Sequence, residues 1–128
     1  MTTAPASPIG SFDAVTIDCA DPVALAGFWC EVLATKIDTT EGEPIQYVDL
    51  LPAAGAPTMR FQRVPEPRSS KVRIHLDILV DDLQVAIERV EELGAKQAVD
   101  GYYSEFRCTW QVMLDPEGNE FCLVFKED

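Results

Sequence analysis

Hydrophobic and polar positions in the first half of the chain predict one strand, one helix and three further strands. Residues 12–19 alternate between apolar and polar side chains, which is typical of a half-buried strand. Asp21 followed by Pro22 marks a helix start, and an apolar stripe at helical spacing then extends to Leu33. Three short extended stretches are predicted after the helix, near residues 35–40, 45–51 and 57–64.

The second half of the chain repeats this order. Residues 71–80 alternate strongly, the Asp81-Asp82 pair caps a second apolar helical stripe, and Gly94 suits its end. Three further strands are predicted near residues 96–102, 107–114 and 120–126. The repeat predicts an α+β fold of two βαβββ modules, with sheets that pair around a cavity. The predicted boundaries are a flexible tail at 1–10 and a single domain at 11–128, with modules at 11–64 and 71–126.

Charge and cysteine content limit which classes of partner we expect and which cellular compartment the protein occupies. The 22 acidic and 10 basic residues give a net charge of −12, which disfavours nucleic-acid and membrane-surface partners. No apolar run approaches the roughly 20 residues that a membrane span needs, and the start lacks the pattern of a secretory signal. The four cysteines form no CxxC pair, which predicts reduced thiols and a cytoplasmic protein.

Three segments resemble the vicinal-oxygen-chelate superfamily in its glyoxalase-like branch. They are DCADPVALAGFWCEVLA at the first helix, RIHLDILVDDLQVAIERVEELGA in the second repeat, and WQVMLDPEGNEFCLV near the end. The resemblance implies the glyoxalase, bleomycin-resistance and dioxygenase fold, in which two modules form an open half-barrel cup. It also implies homodimers and either metal-dependent catalysis or metal-free sequestration of small molecules.

The resemblance further implies a metal site with one ligand from the first and one from the last strand of each module. His75 matches the superfamily histidine, but alanine at the equivalent Ala14 cannot bind a metal. The remaining two positions offer Arg60 or Gln62 and Cys122, which are poor ligands for oxygen-preferring metals. We therefore expect no metal cofactor. If a divalent metal binds, the expected ligands are His75, Gln62, Glu120 and Cys122.

Each candidate side chain also has a structural interpretation. His75, the single histidine, is a general base or a strand residue satisfied by a carboxylate. Asp18 and Asp77 contact a ligand or form ion pairs, for example with Arg60. Glu120 is an acid–base group or a solvated strand end. Cys122 is a soft metal ligand, a reactive thiol or a core residue, and Trp110 stacks on a ligand or packs in the core.

These residues support two main functional hypotheses. The first is metal-free binding of a small organic molecule in the cup, for sequestration or sensing. The alternative is a lyase or isomerase that acts on a small carbonyl or vicinal-oxygen substrate through His75, with or without a divalent metal. In a third interpretation the cup is filled by its own side chains and the protein is an interaction scaffold. The catalytic candidates are His75 and Glu120, and the ligand-binding candidates are Asp18, Arg60, Gln62, His75, Asp77, Trp110 and Cys122.

Overall fold

The computed structural model describes residues 10–70 and 73–127, so nearly all of the tail predicted at 1–10 lies outside the described residues. Two helices and nine strands are formed there. In chain order they are β1 (Ala14–Cys19), α1 (Pro22–Leu33), β2 (Ile37–Glu41), β3 (Tyr47–Leu50), β4 (Thr58–Arg63), β5 (Leu76–Leu79), α2 (Leu83–Glu92), β6 (Lys96–Gln97), β7 (Tyr103–Glu105), β8 (Cys108–Leu114) and β9 (Glu120–Lys126).

The strands form two sheets of related topology. The first has the order β1-β4-β3-β2, and the second has the order β5-β9-β8-β6 with β7 also paired to β8. In each sheet the first strand of the module runs parallel to the last, and the other pairs are antiparallel. This two-sheet, two-helix arrangement confirms the predicted α+β fold class. Neither helix is long and apolar enough to cross a membrane in the described part of the chain.

Both helices begin where the sequence predicts. The Asp21 carboxylate accepts a hydrogen bond from the Ala24 amide at 3.1 Å, and the Asp82 carboxylate accepts one from the Val85 amide at 3.1 Å. Each bond satisfies an amide that the first helical turn would leave without a partner. Gly94 follows α2 with a φ of +107°, a conformation in which its missing Cβ avoids strain.

The second sheet differs from the predicted strand pattern in three places. Regular pairing in β5 covers only Leu76–Leu79, and the stretch predicted at 96–102 contains only the two-residue β6. An additional strand, β7, forms a hairpin with β8 through Phe106 and Arg107, whose φ values are +50° and +64°. Tight hairpin turns of this kind favour Asn and Gly, so the sequence carries no ordinary signal for this hairpin.

The hydrophobic core is shared by the two modules. Helix α1 packs against the first sheet, and its Trp29 side chain, 1% exposed, also reaches β9 of the second sheet. The rings of Trp29 and Phe121 are 5.0 Å apart, and Phe28 packs edge-on against both of them. Such edge-to-face aromatic contacts add to the stabilisation from burial alone. This cluster joins the modules through side chains.

The turn between β8 and β9 ties the second module to the start of α1. Asp115 is 3% exposed, and its carboxylate accepts hydrogen bonds from Trp29 Nε1 at 3.2 Å and from the Glu117 amide at 2.9 Å. The Glu117 carboxylate in turn accepts hydrogen bonds from the amides of Ala20 at 2.6 Å and Asp21 at 2.9 Å. These contacts fix the position of β1 and α1 relative to the second sheet.

We predict that Asp115→Ala lowers the free energy of unfolding by about 2–4 kcal/mol, because it leaves buried donors without their acceptor. Urea unfolding followed by circular dichroism measures the change. Asp100→Ala is the matched control, since it removes the same charge from an exposed loop position and should change stability by less than about 0.5 kcal/mol. Equal effects of the two substitutions would contradict the proposed link between the modules.

Cys19 lies beside this link, and its thiol should make stability depend on pH. Burial, and next the Glu117 carboxylate, raises the pKa of Cys19 from 9.0 to about 12. The folded state therefore holds the thiol proton more tightly than the unfolded chain does. The resulting stabilisation is complete below pH 9 and is lost as the pH rises toward 12.

We predict that Cys19→Ala makes the free energy of unfolding fall less steeply with pH in this alkaline range. Denaturant unfolding at a series of pH values compares this variant with wild type and with Cys108→Ala, which removes a half-buried thiol elsewhere. If the wild type and Cys19→Ala lose stability in parallel, the pKa shift does not contribute to folding.

Candidate ligand-binding cleft

A cleft of about 1150 Å³ lies between the first strands of the two modules. Strands β1 and β5 are each the edge of their own sheet, and the cleft opens between these edges. All of β1, the connecting residues 64–70 and the segment 73–76 contribute to its walls. Its large apolar side chains are Phe12, Ile17, Trp29, Ile74 and Leu76.

Polar and charged side chains line the same cleft. Thr16 and Asp18 project from β1, and His75 lies just before β5. Arg68 in the connection forms an ion pair with Glu120 of β9, with 3.3 Å between Nη2 and Oε1. The cleft therefore combines an apolar wall with hydrogen-bonding groups of both charges, which is the composition of a small-molecule site.

The structure separates the residues that the sequence assigned to one cup. Asp18, His75 and Glu120 line the cleft, whereas the other candidates lie outside its lining. Asp77 and Cys122 lie close to His75 on the second sheet. Arg60, Gln62 and Trp110 contact neighbours on their own sheets.

Arg60 is held by a carboxylate that the sequence analysis did not single out. Its guanidinium donates two hydrogen bonds to Asp49, from Nε to Oδ1 at 2.8 Å and from Nη2 to Oδ2 at 3.0 Å. Hydrogen bonding to Asp49 raises the pKa of Arg60. The pair lines a smaller depression of about 450 Å³. The expected pairing of Arg60 with Asp18 or Asp77 is wrong, because Asp49 lies directly opposite Arg60 in the register of β3 and β4.

Gln62 and Trp110 also make contacts within their own sheets. Gln62 Nε2 donates to the Tyr47 hydroxyl at 3.4 Å. Trp110 stacks on Tyr103, with ring centroids 5.7 Å apart and planes inclined by 26°. Tyr103 belongs to β7, so the additional hairpin supplies the partner of this tryptophan.

His75, Asp77 and Cys122 form a compact cluster on the second sheet. His75 Nε2 lies 3.3 Å from Asp77 Oδ1, which matches the structural interpretation of a strand histidine paired with a carboxylate. Asp77 lies opposite Cys122 in the pairing of β5 with β9. One potential ligand atom from each of the three residues lies within 4.8 Å of the other two. The strand alternation that puts Asp77 on the face of His75 was a signal available in the sequence.

The expected metal ligands do not converge as a group. His75 and Cys122 come together, but Gln62 bonds to Tyr47 and Glu120 pairs with Arg68. In the described residues, no histidine, cysteine or acidic side chain of the first module joins the cluster. Ala14 carries no ligand atom. The residues present therefore do not fit the two-module metal site that the superfamily resemblance implies.

Comparisons with known proteins agree with the geometry of the fold. A glyoxalase/bleomycin resistance protein/dioxygenase family enzyme from Burkholderia phytofirmans is 19% identical, with a TM-score of 0.67 and coverage of 90% of this chain and 98% of the other. A glyoxalase family protein from Bacillus cereus is 14% identical, with a TM-score of 0.74 and coverage of 98% and 100%. At these identities the likeness shows the fold alone.

Sequence comparison supplies the family. No curated protein matched the chain. The family model described as glyoxalase-like domain matches residues 14–124, which span both sheets and both helices. The chain therefore belongs to the glyoxalase-like domain family, within the vicinal-oxygen-chelate superfamily.

Proposed function

We propose that this protein binds a small organic molecule in the cleft between β1 and β5, for sequestration or sensing. The observation that carries the proposal is the cleft itself, which is built by both modules and their connection. Its volume of about 1150 Å³ is sufficient for a small-molecule ligand, since such sites typically occupy about 300–1,000 Å³. A cleft of this size argues against the interpretation of a cup filled by its own side chains.

The lining indicates the chemistry of the ligand. Phe12 and Ile74, which are 76% and 82% exposed, offer apolar surface for an aromatic or aliphatic body. Arg68 and His75 offer hydrogen-bond donors for a polar group of the ligand. We expect a ligand that combines both features.

The proposed binding does not use the superfamily's two-module metal site. Ala14 has no ligand atom at the first position. Arg60 places a guanidinium near the position expected to supply a second ligand, and its bidentate pair with Asp49 holds it there. That pair engages both the guanidinium and the carboxylate, which leaves neither group for a metal in the first module. Recognition then rests on the surface of the cleft.

We predict that Thr16→Trp blocks the cleft and weakens binding of the fluorescent probe anilinonaphthalene sulfonate by at least about tenfold, or 1.4 kcal/mol. Thr16 lies on β1 at the cleft wall, where an indole would occupy ligand space. Fluorescence titration measures the dissociation constants. Thr40→Trp is the matched control, because Thr40 is an exposed strand residue of the same module outside this cleft and should leave binding unchanged. Equal affinity in wild type and Thr16→Trp would contradict the proposed site.

A second function, a lyase or isomerase acting on a small carbonyl substrate, is supported by the contact between His75 and Asp77. A carboxylate 3.3 Å from an imidazole orients the ring, which suits a general base. His75 lines the cleft and is therefore accessible to a bound substrate.

For this second function we predict that the wild type accelerates exchange of the α-protons of hydroxyacetone in D₂O, and that His75→Gln removes the acceleration. Proton NMR follows the exchange against a protein-free blank. Glu88→Gln, at an exposed position of α2 outside the cleft lining, should retain the wild-type rate. If the wild type exchanges these protons no faster than the protein-free blank, the result argues against a base that acts on α-hydroxy carbonyl compounds.

The expected homodimer and cytoplasmic location stay predictions that rest on the superfamily resemblance and the cysteine content. Light scattering of the purified chain measures the first, and cell fractionation measures the second.

A further inference from the structure

We propose that His75, Asp77 and Cys122 form a binding site for a thiophilic divalent cation, with Zn²⁺ as the best match, wholly within the second module. The site does not depend on the cleft ligand proposed above. It also differs from the two-module set that the superfamily implies, because Asp77 replaces all contributions from the first module.

The backbone places the three side chains on one face of the second sheet. Asp77 and Cys122 are direct neighbours across the parallel β5–β9 pair. His75 precedes Asp77 by two residues, and the contact between the two side chains shows that they point to the same side. The cluster is thus built by strand register, which holds its members together without a ligand.

The spacing of the ligand atoms suits a tetrahedral ion. Zinc bonds of roughly 2.0 Å to nitrogen or oxygen and 2.3 Å to sulfur put neighbouring ligand atoms about 3.3–3.6 Å apart. The observed 3.3 Å between His75 Nε2 and Asp77 Oδ1 already matches this spacing. All three ligand atoms lie within 4.8 Å of one another. Side-chain movements of about 1 Å would therefore bring them to tetrahedral zinc spacing.

The chemical types of the ligand atoms select among metals. Mg²⁺ and Ca²⁺ prefer oxygen ligands, whereas an imidazole and a thiolate favour Zn²⁺ and its close analogue Co²⁺. Asp77 adds an anionic oxygen, which is a normal third ligand in zinc sites. The net charge of −12 further attracts cations to the chain.

Exposure leaves room for a further ligand on the ion. The side chains of His75 and Asp77 are 47% and 65% exposed, whereas Cys122 is buried beneath them. Three protein ligands with one open position is the arrangement of a zinc site that binds water or an exchangeable ligand. His75 also lines the cleft, so the ion would lie beside the space proposed for the organic molecule.

The test uses Co²⁺ as a spectroscopic probe on the reduced 128-residue chain without an affinity tag. Titration should give a one-to-one complex with a thiolate-to-cobalt charge-transfer band in the near ultraviolet and visible bands typical of tetrahedral coordination. Added Zn²⁺ should abolish both. Cys122→Ser should remove the charge-transfer band. Asp77→Asn preserves the shape of an exposed side chain and should weaken Co²⁺ binding at least about tenfold, because changes even to residues outside the ligand set weaken metal binding by that factor.

Cys108→Ser is the matched control, because it removes a thiol on β8 outside the cluster and should keep the band and the affinity. Circular dichroism of each variant without metal verifies folding, and Asp77→Asn provides the test if Cys122→Ser does not fold. The proposal is overturned if the wild type shows no charge-transfer band, if Cys122→Ser retains it, or if Cys108→Ser loses it. Unchanged Co²⁺ affinity in folded Asp77→Asn would also overturn it. Loss of probe binding to the cleft in Thr16→Trp, by contrast, concerns only the proposed function.

Discussion

The Asp115 carboxylate and the Trp29 indole form the contact on which the arrangement of the two modules depends. Across residues 10–70 and 73–127, no strand pairing joins the two sheets, so side chains must hold them together. The hydrogen bonds from Trp29 to Asp115 and from the amide at the start of α1 to Glu117 orient α1 relative to the second sheet. The aromatic cluster adds buried apolar contact between the two modules. Because β1 leads directly into α1, fixing α1 also fixes one wall of the cleft.

Duplication gave the modules similar topology, but their polar residues now differ in role. In the first module, Asp49 neutralises Arg60 within the sheet, which leaves a stable ion pair in place of a metal ligand. In the second module, His75 and Asp77 remain exposed above Cys122. Among the described residues, the side chains that could hold a metal are therefore gathered in the second module, in contrast to the two-module site that the superfamily resemblance implies.

Local signals predicted the features that depend on neighbours in the chain. The caps at Asp21 and Asp82 follow from side chains that reach amides three residues away, and the structure contains both bonds. Features that depend on pairing between strands could not be predicted from the sequence. The partner of Arg60 is set by the β3–β4 register, and the hairpin at Phe106 forms despite residues that disfavour a positive φ. The pairing of β7 with β8 and the stacking of Tyr103 on Trp110 support the hairpin there.

The sequence by itself determined the repeated order of strands and helix, the starts of both helices and the superfamily, because periodicity and capping act over a few residues. It also brought forward His75, Cys122 and Asp77 as residues of interest. Only the tertiary structure decided which of them meet. Asp77 comes beside Cys122 through the β5–β9 register, and Arg60 is taken by Asp49 through the β3–β4 register. Both contacts are set by strand register within one sheet, which periodicity over a few residues does not determine.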